Sequence, residues 1–326
     1  ENMRLSMDSV LDTGKLLEAS ICYTGDISDP TKSKYNLKYY VRMAKELQKA
    51  GTHLLGIKDM AGLLKPSAAK VLVNTIKEET GLPIHLHTHD TSGAGIATLL
   101  AASEAGVDII DCAMDALSGG TSQPCLGSVL ETLRNTERMS SIKVEEVRDI
   151  SNYWQSVRQQ YSAFDEGMSF PASEVYLHEM PGGQFTNLLN QAKNLGLSSK
   201  WPEIARTYSE VNQIFGDIVK VTPSSKVIGD MALMMVSQGI TREQVENPRI
   251  DVVFPESVLD MLRGNLGQPP GGFPAQIKKK ALGKEQAYTE RPGSKIKQRD
   301  LDEVRKKACL ELSLTKIDDE DFCSYL

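Results

Sequence analysis

Four short apolar runs, with helical patterns between them, constrain the fold more than any other feature of this 326-residue chain. The runs begin at residues 19, 53, 84 and 107, so successive starts are 34, 31 and 23 residues apart. This spacing is typical of strand–helix–strand units, whose strands run parallel in a sheet that helices cover.

Two α/β architectures are compatible with this order, an open doubly wound sheet and a (β/α)8 barrel. Many open sheets carry an early G-x-G-x-x-G phosphate loop, and the sequence has none. Polar residues follow the apolar runs at Lys58, Asp59, 87–90 and Asp115, and a barrel places its chemistry at that end of its strands. We therefore predict a (β/α)8 barrel, incomplete at its N-terminus, followed by a mostly helical funnel subdomain.

The character of the sequence changes after about residue 140, where long helical patterns replace the alternation. A Gly/Pro-rich stretch at 264–274 and a charge-dense end follow. We predict three parts: later barrel units at 1–137, a helical funnel at 138–285 and the start of a linker domain at 286–326. Neither end of the sequence has the signals of a natural terminus, so we expect a piece of a longer protein.

The composition excludes several functions. The chain has 37 basic and 43 acidic residues, a net charge of −6, which does not suit binding to nucleic acid or to an anionic membrane. No stretch approaches the roughly 20 apolar residues of a membrane helix. The five cysteines are widely spaced without C-x-x-C, which argues against a disulfide framework and favours a reducing compartment.

A histidine cluster is the strongest chemical signal. Three of the five histidines are His85, His87 and His89. Alternate residues of a strand share one face, so these imidazoles would point together, and two of them could bind one divalent ion. A polar barrel layer, in which carboxylates satisfy the histidines, is the alternative. Lys58 would either pair with an acid such as Asp59 or, with a lowered pKa, form a carbamate that binds metal.

A second candidate is the segment V-T-P-S-S-K at 221–226. Its hydroxyls and lysine precede a helical pattern, which suits a carboxylate or carbonyl ligand, although Ser224 or Ser225 could simply cap the helix. We expect irregular loops at 179–184 and 221–226. The loops of small residues at 118–124 and 180–184 could line a pocket or be ordinary turns. Asp59 and Asp90 are expected to support neighbouring residues rather than to catalyse.

Five strings of the sequence resemble the carboxyltransferase region of the pyruvate carboxylase family. They are GIKDMAGLLKP (56–66), PIHLHTHDTSGAG (83–95), SGGTSQP (118–124), HEMPGGQ (178–184) and FGDIVKVTPSSKVIGDMA (215–232). The resemblance covers nearly the whole chain. The carboxyltransferase chains of transcarboxylase and oxaloacetate decarboxylase are close alternatives. Metal-dependent aldol-type lyases and synthases share the barrel and an H-x-H strand, but they lack the biotin-facing hydroxyl.

The resemblance implies a divalent metal, Mn²⁺ or Zn²⁺, bound by carboxylated Lys58 with His87 and His89. It implies that Thr222 relays a proton between pyruvate and biotin, and that Ser225 and Lys226 help to form their pocket. The implied reaction moves a carboxyl group from carboxybiotin to pyruvate and yields oxaloacetate. The parent enzyme would use ATP and bicarbonate elsewhere, carry biotin on a biotinyl carrier domain, and form a homotetramer in the cytoplasm or, in a eukaryote, the mitochondrial matrix.

The chain also departs from the family pattern. It lacks the D-x-T-x-R-D-type motif with an aspartate metal ligand, and the F-R-x-F-D stretch with an arginine that grips pyruvate. It also lacks the ATP-grasp region and the biotinyl A-M-K-M motif, and its end resembles the start of the tetramerisation region. We therefore expect little activity from these 326 residues alone.

Overall fold

The structure, a computed structural model, describes residues 2–165, 170–297 and 299–326. The chain forms two compact units, Glu1–Ala287 and Tyr288–Leu326. The predicted division into three parts stays a prediction. No helix among the described residues combines the length and apolar character that crossing a bilayer requires.

A parallel sheet forms the centre of the first part of the chain. Its strands, in spatial and chain order, are β1 (Glu18–Cys22), β2 (Leu54–Asp59), β3 (Ile84–Thr88) and β4 (Ile109–Ile110). The pairing is parallel throughout, and its register places Cys22 beside Lys58 and Lys58 beside His87. The predicted α/β fold with a parallel sheet is confirmed, whereas closure into a barrel stays a prediction.

Helices cover one face of this sheet. They are α1 (Asn2–Asp12), α2 (Leu37–Lys49), α3 (Pro66–Thr80) and α4 (Gly95–Glu104). The Asn36 side chain caps α2 by accepting from the Tyr39 amide, while Pro66 begins α3 and Gly81, at φ 67°, ends it. These capping residues stand where the sequence predicts the helix boundaries.

Alternation along β3 decides which side chains reach the site. Ile84, Leu86 and Thr88 are buried, while His85 and His87 lie on the opposite face and stay partly exposed. The buried set joins an aliphatic core between the sheet and its helices. Fully burying one such aliphatic side chain contributes about 1.5–3 kcal/mol, so the strand cannot slip by one residue without exposing its core.

A second, helical core follows. Its helices and those leading to it are α5 (Leu126–Leu133), α6 (Val144–Gln160), α7 (Val175–His178), α8 (Gly182–Asn194), α9 (Trp201–Ile214), α10 (Ser224–Gln238), α11 (Arg242–Glu246), α12 (Glu256–Arg263) and α13 (Ala275–Leu282). Apolar side chains of α8 to α13 pack together around Tyr208, Phe215 and Met231. This layer agrees with the predicted helical subdomain.

The predictions of irregular loops at 179–184 and 221–226 were wrong in part. Helix α8 begins at Gly182 and helix α10 at Ser224, so 182–184 and 224–226 are helical rather than irregular. In both cases a proline, Pro181 or Pro223, occupies the position before the helix, where its missing N–H costs nothing. Glycine and serine have modest helix propensity, and tertiary packing outweighs it here.

The second compact unit has a small core of its own. Helices α14 (Leu301–Glu311) and α15 (Asp319–Tyr325) enclose Ala308, Ile317 and Phe322. Asp300 caps α14 through the amides of its first turn. The charge-dense end of the sequence therefore contains two short helices.

Candidate active site

His87 and His89, at the carboxyl end of β3, approach each other through one nitrogen each. Their Nε2 atoms lie 3.4 Å apart. The Nδ1 atom of His89 lies 2.7 Å from the carbonyl oxygen of Thr121, to which it donates, and Nδ1 of His87 lies 2.7 Å from a carboxylate oxygen of Asp111. With both Nδ1 atoms so engaged, each Nε2 keeps its lone pair, and the two Nε2 atoms are close enough to bind one metal ion.

Electrostatics keep His89 suited to this role. Burial lowers the pKa of His89, and the nearby His87 lowers it further, against the opposing effect of the Thr121 carbonyl. His89 is therefore a neutral imidazole near neutral pH. Only the neutral ring has a lone pair with which to bind a metal ion.

His85 belongs to the same face but makes different contacts. Its Nε2 lies 2.9 Å from Asp111, and its Nδ1 lies 3.0 Å from Glu18. Burial would lower the pKa of His85, but the two carboxylates outweigh burial and raise it. The same contacts hold the pKa of Asp111 below its ordinary value, although burial opposes them. His85 is thus engaged on both nitrogens, and it does not converge with the other two histidines.

The donor set fits a divalent cation only with a further ligand. Among the described residues, no group of three or more His, Cys, Asp or Glu side chains surrounds one point. Lys58 is the neighbour that could complete the set, because it pairs with His87 in the sheet and is solvent-exposed at the strand end. As a carbamate, Lys58 would supply the oxygen donors that Mn²⁺ or Zn²⁺ accepts.

One cavity of about 490 Å³ is lined by residues of both the parallel sheet and the helical core of the first unit. Lys58 and His89 line it from the sheet, and Thr222 and Lys226 line it from the start of α10. These pairs are separated by more than 130 residues of sequence. The structure therefore brings together side chains that the sequence predicts for the metal side and for the hydroxyl side of one site.

Of the predicted pocket residues, Ser225 is buried and its role stays a prediction. Ser225 is only 1% exposed and does not contribute to the described lining of the cavity. Ser224 is the first residue of α10, and its hydroxyl accepts from the Val221 amide rather than capping the helix. Lys226 forms an ion pair with Asp230 at 2.9 Å, on a side chain that is 57% exposed.

Three aspartates at strand ends have local structural contacts. The Asp59 carboxylate is fully buried and accepts from the amides of Leu63 and Leu64 and from the Thr88 hydroxyl. The other two each hold one amide, Asp90 that of Gly95 and Asp115 that of Gly127. Asp115, which the sequence grouped with the reactive residues, thus holds the first turn of α5.

A buried ion pair lies beneath the Thr222 segment. The Lys220 ammonium is 2.9 Å from Glu179 and 3.2 Å from the Thr24 hydroxyl, and its side chain is 3% exposed. Burial would raise the pKa of Glu179, but Lys220 and Lys32 outweigh it and hold the pKa low. Glu179 is therefore an anion near neutral pH, and it lies against the buried Lys220 side chain.

The loop at 25–35, which we call the clamp loop, ties the sheet to the helical core. Lys32 pairs with Glu179 at 2.8 Å. Lys34 donates to the carbonyl oxygens of Gly216 and Asp217, at 2.6 and 2.8 Å, and the Tyr35 hydroxyl donates to Asp217 at 2.7 Å. These contacts hold the segment before Thr222 against the end of β1.

The comparisons with known proteins agree along the whole chain. Residues 13–153 match the HMGL-like family model, and residues 175–326 match the conserved carboxylase domain model. The pyruvate carboxylase of Bacillus subtilis is 49% identical over 100% of this chain, and human mitochondrial pyruvate carboxylase is 46% identical over 94%. The carboxyl transferase domain of Rhizobium etli pyruvate carboxylase, solved with pyruvate and biocytin, superposes with a TM-score of 0.96 at 59% identity, covering all of this chain and 54% of that one.

The chain belongs to the pyruvate carboxylase family. It spans 28% of the length of the Bacillus relative and 26% of the human one. The complete Rhizobium etli pyruvate carboxylase superposes with a TM-score of 0.97 over 30% of its own length. The family resemblance expected from the five strings is confirmed, and the match falls in the carboxyltransferase region.

Sequence reasoning missed two residues of this candidate site, Asp111 and Gly182. Asp111 lies inside an apolar run, and only the sheet pairing shows that it reaches two histidines. Gly182 packs so closely on His89 that a Cβ there would be 2.7 Å from Nδ1. Its presence in the string HEMPGGQ was a signal, since consecutive glycines often mark a close approach of the backbone.

Replacing Gly182 with alanine will displace His89. The new Cβ would lie 2.7 Å from His89 Nδ1 and 2.8 Å from the Thr121 oxygen, which breaks the hydrogen bond between them. We expect a loss of about 1–3 kcal/mol in unfolding free energy and about 10–100-fold in metal affinity. Gly183→Ala is the matched control, because no heavy atom lies within 4 Å of its added Cβ. Equal metal affinities in the two variants would contradict this geometry.

His178 will make the protein less stable in acid. Burial lowers its pKa to about 4 from 6.5, and its Nδ1 accepts from the Met180 amide at 3.0 Å. Because the folded pKa is depressed, this contribution is complete above pH 6.5 and is lost as the pH falls toward 4. We expect a loss of about 3 kcal/mol across that window.

Urea unfolding at several pH values will measure the effect of His178. His178→Asn keeps an acceptor near the Met180 amide but cannot titrate, so its stability should depend less steeply on pH between 6.5 and 4. Identical slopes for the variant and the wild type would show that the acid sensitivity arises elsewhere.

Proposed function

We propose that this chain carries the carboxyltransferase site that moves a carboxyl group from carboxybiotin to the methyl carbon of pyruvate, giving oxaloacetate. The observation that carries the proposal is the single cavity lined by Lys58, His89, Thr222 and Lys226. The site needs a metal side that stabilises an enolate and a hydroxyl side that moves a proton. The relative solved with pyruvate and biocytin supports the same pair of substrates.

The chain's own residues would act as follows. His87, His89 and carboxylated Lys58 would hold the divalent metal, which when bound withdraws charge from the keto oxygen of pyruvate. Lys226 places a cation at the cavity of a net-acidic protein, where it would attract anionic substrates. The Thr222 hydroxyl would pass a proton between the two substrates.

The transfer balances without an added oxidant or reductant. The methyl group of pyruvate loses a proton, and the resulting carbanion equivalent attacks the carboxyl carbon of carboxybiotin. The bond between that carbon and the biotin nitrogen breaks as the new carbon–carbon bond forms. The nitrogen then takes the proton by way of Thr222, which returns to its starting state.

The same proposal extends to the complete protein. It would use ATP and bicarbonate to carboxylate biotin on a carrier domain, and it would work as a homotetramer. A bacterial source would place it in the cytoplasm and a eukaryotic one in the mitochondrial matrix, as the mitochondrial human relative suggests. Mn²⁺ and Zn²⁺ are both compatible with two imidazoles and a carbamate oxygen.

The direct test is oxaloacetate synthesis by the full-length gene product. With pyruvate, ATP, bicarbonate and Mg²⁺, we expect oxaloacetate in a malate dehydrogenase-coupled assay, and avidin should abolish it by sequestering biotin. Synthesis that needs an acyl-CoA donor instead of ATP would favour a transcarboxylase. Decarboxylation of oxaloacetate without net synthesis would favour a decarboxylase. Avidin-resistant cleavage of a hydroxy acid would favour an aldol-type lyase.

A further inference from the structure

The proposed mechanism leaves His85 and Asp111 without a role, although they belong to a continuous chain of polar contacts that reaches His87. Glu18, His85, Asp111 and His87 are linked in that order by contacts of 3.0, 2.9 and 2.7 Å. The chain crosses the sheet from β1, through β3, to the segment after β4. It ends on a nitrogen of a proposed metal ligand.

Asp111 is well placed to fix that ligand. One carboxylate oxygen meets His85 and the other meets His87, so neither oxygen is free to turn toward the cation. The backbone of Asp111 is held as well, because its amide donates to the carbonyl of Leu86 at 3.1 Å, between the two histidines. A carboxylate held at both ends restricts the tilt and rotation of the ring that it accepts from.

We infer that Asp111, braced by His85 and Glu18, is a positioning residue that sets the tautomer and orientation of His87 for metal binding. The inference rests on the proposed function, since it takes His87 as a metal ligand. The accepted proton fixes N–H on Nδ1 and leaves the lone pair on Nε2, the atom that faces His89 at 3.4 Å. Residues in this outer position typically change metal affinity by about 10–100-fold when they are replaced.

The experiment measures Mn²⁺ binding to the metal-stripped full-length gene product, by the EPR signal of free Mn²⁺. Asp111→Asn should weaken binding by about 10–100-fold. His85→Ala, which removes the brace, should weaken it by a smaller factor. His85→Gln should restore most of the affinity, because the glutamine amide can replace Nε2 as the donor to Asp111.

Asp108→Asn is the matched control. Asp108 holds the Lys77 ammonium and the Ile84 amide, each at 2.8 Å, so this change perturbs the same edge of the sheet without contacting the histidines. We expect its Mn²⁺ affinity to match the wild type. Equal losses in Asp108→Asn and Asp111→Asn would overturn the inference, since damage to the sheet edge would then explain both.

The outcomes also separate this inference from the proposed function. If the double replacement of His87 and His89 by alanine abolishes binding while Asp111→Asn binds like the wild type, the metal site stands and the positioning role of Asp111 falls. If the double variant binds Mn²⁺ as well as the wild type, the metal site of the proposed function is wrong, and the inference falls with it.

Discussion

Replacing Thr222 with alanine will lower the rate of pyruvate carboxylation in the full-length gene product by about 10²–10⁴-fold, the contribution expected of a proton-transferring group. Thr222 is exposed and lines the cavity with His89 and Lys58, so the loss of its hydroxyl and γ-methyl groups should leave the fold intact. ATP-dependent carboxylation of biotin should continue, because the proposed function assigns it to another part of the complete protein. The measurement compares oxaloacetate output with biotin-dependent ATP cleavage.

Two variants sharpen the test of Thr222. Thr222→Ser keeps the hydroxyl and should retain most of the transfer rate. Thr241→Ala removes a hydroxyl of the same kind that caps α11 at an exposed site, so it should reduce stability by about 1 kcal/mol and leave the transfer rate alone. Unchanged oxaloacetate output in Thr222→Ala would rule out the proton-transfer role.

Replacing Glu179 with glutamine will remove about 3–5 kcal/mol of unfolding free energy. The Lys220 ammonium, with a side chain only 3% exposed, would then be left buried without a counter-charge. The double variant Glu179→Gln/Lys220→Met should recover most of the loss, because it removes the uncompensated charge. Urea unfolding of the wild type, the single variants and the double variant gives the coupling free energy of the pair.

Lys32→Met is the control for the Glu179 series. Lys32 also pairs with Glu179, but its side chain is 44% exposed, so its loss should cost less than about 1 kcal/mol. A double variant that is no more stable than Glu179→Gln would mean that Glu179 stabilises the protein by some route other than its charge.

The sequence predicted the sheet well, for a physical reason. Apolar runs such as 53–58 and 84–88 are short, regularly spaced and bounded by glycine or proline, so burial leaves them few alternatives to a parallel strand. The same regularity placed Lys58 and His87 at one edge, since the carboxyl ends of parallel strands meet there. Their adjacent register confirms that reasoning.

The contacts that complete the site were beyond the sequence because they are long-range. Glu179 and Lys220 are 41 residues apart, and neither has a local pattern that distinguishes it from a solvent-exposed charge. The helical start at Gly182 was missed because two glycines disfavour a helix locally. The Gly182 amide donates to the Met60 carbonyl at 2.9 Å, and such a tertiary contact cannot be read from spacing.

A protease cut in the clamp loop would damage the protein without changing its circular dichroism spectrum. The clamp loop joins two hydrophobic cores, each of which is packed independently. Its partly exposed Lys34 contacts Gly216, and its partly exposed Lys32 contacts Glu179. A protease cut at Lys32 would leave helices and sheet in place, so circular dichroism would look native. Such a nicked preparation would nevertheless have lost the continuity of the loop that holds the segment before Thr222.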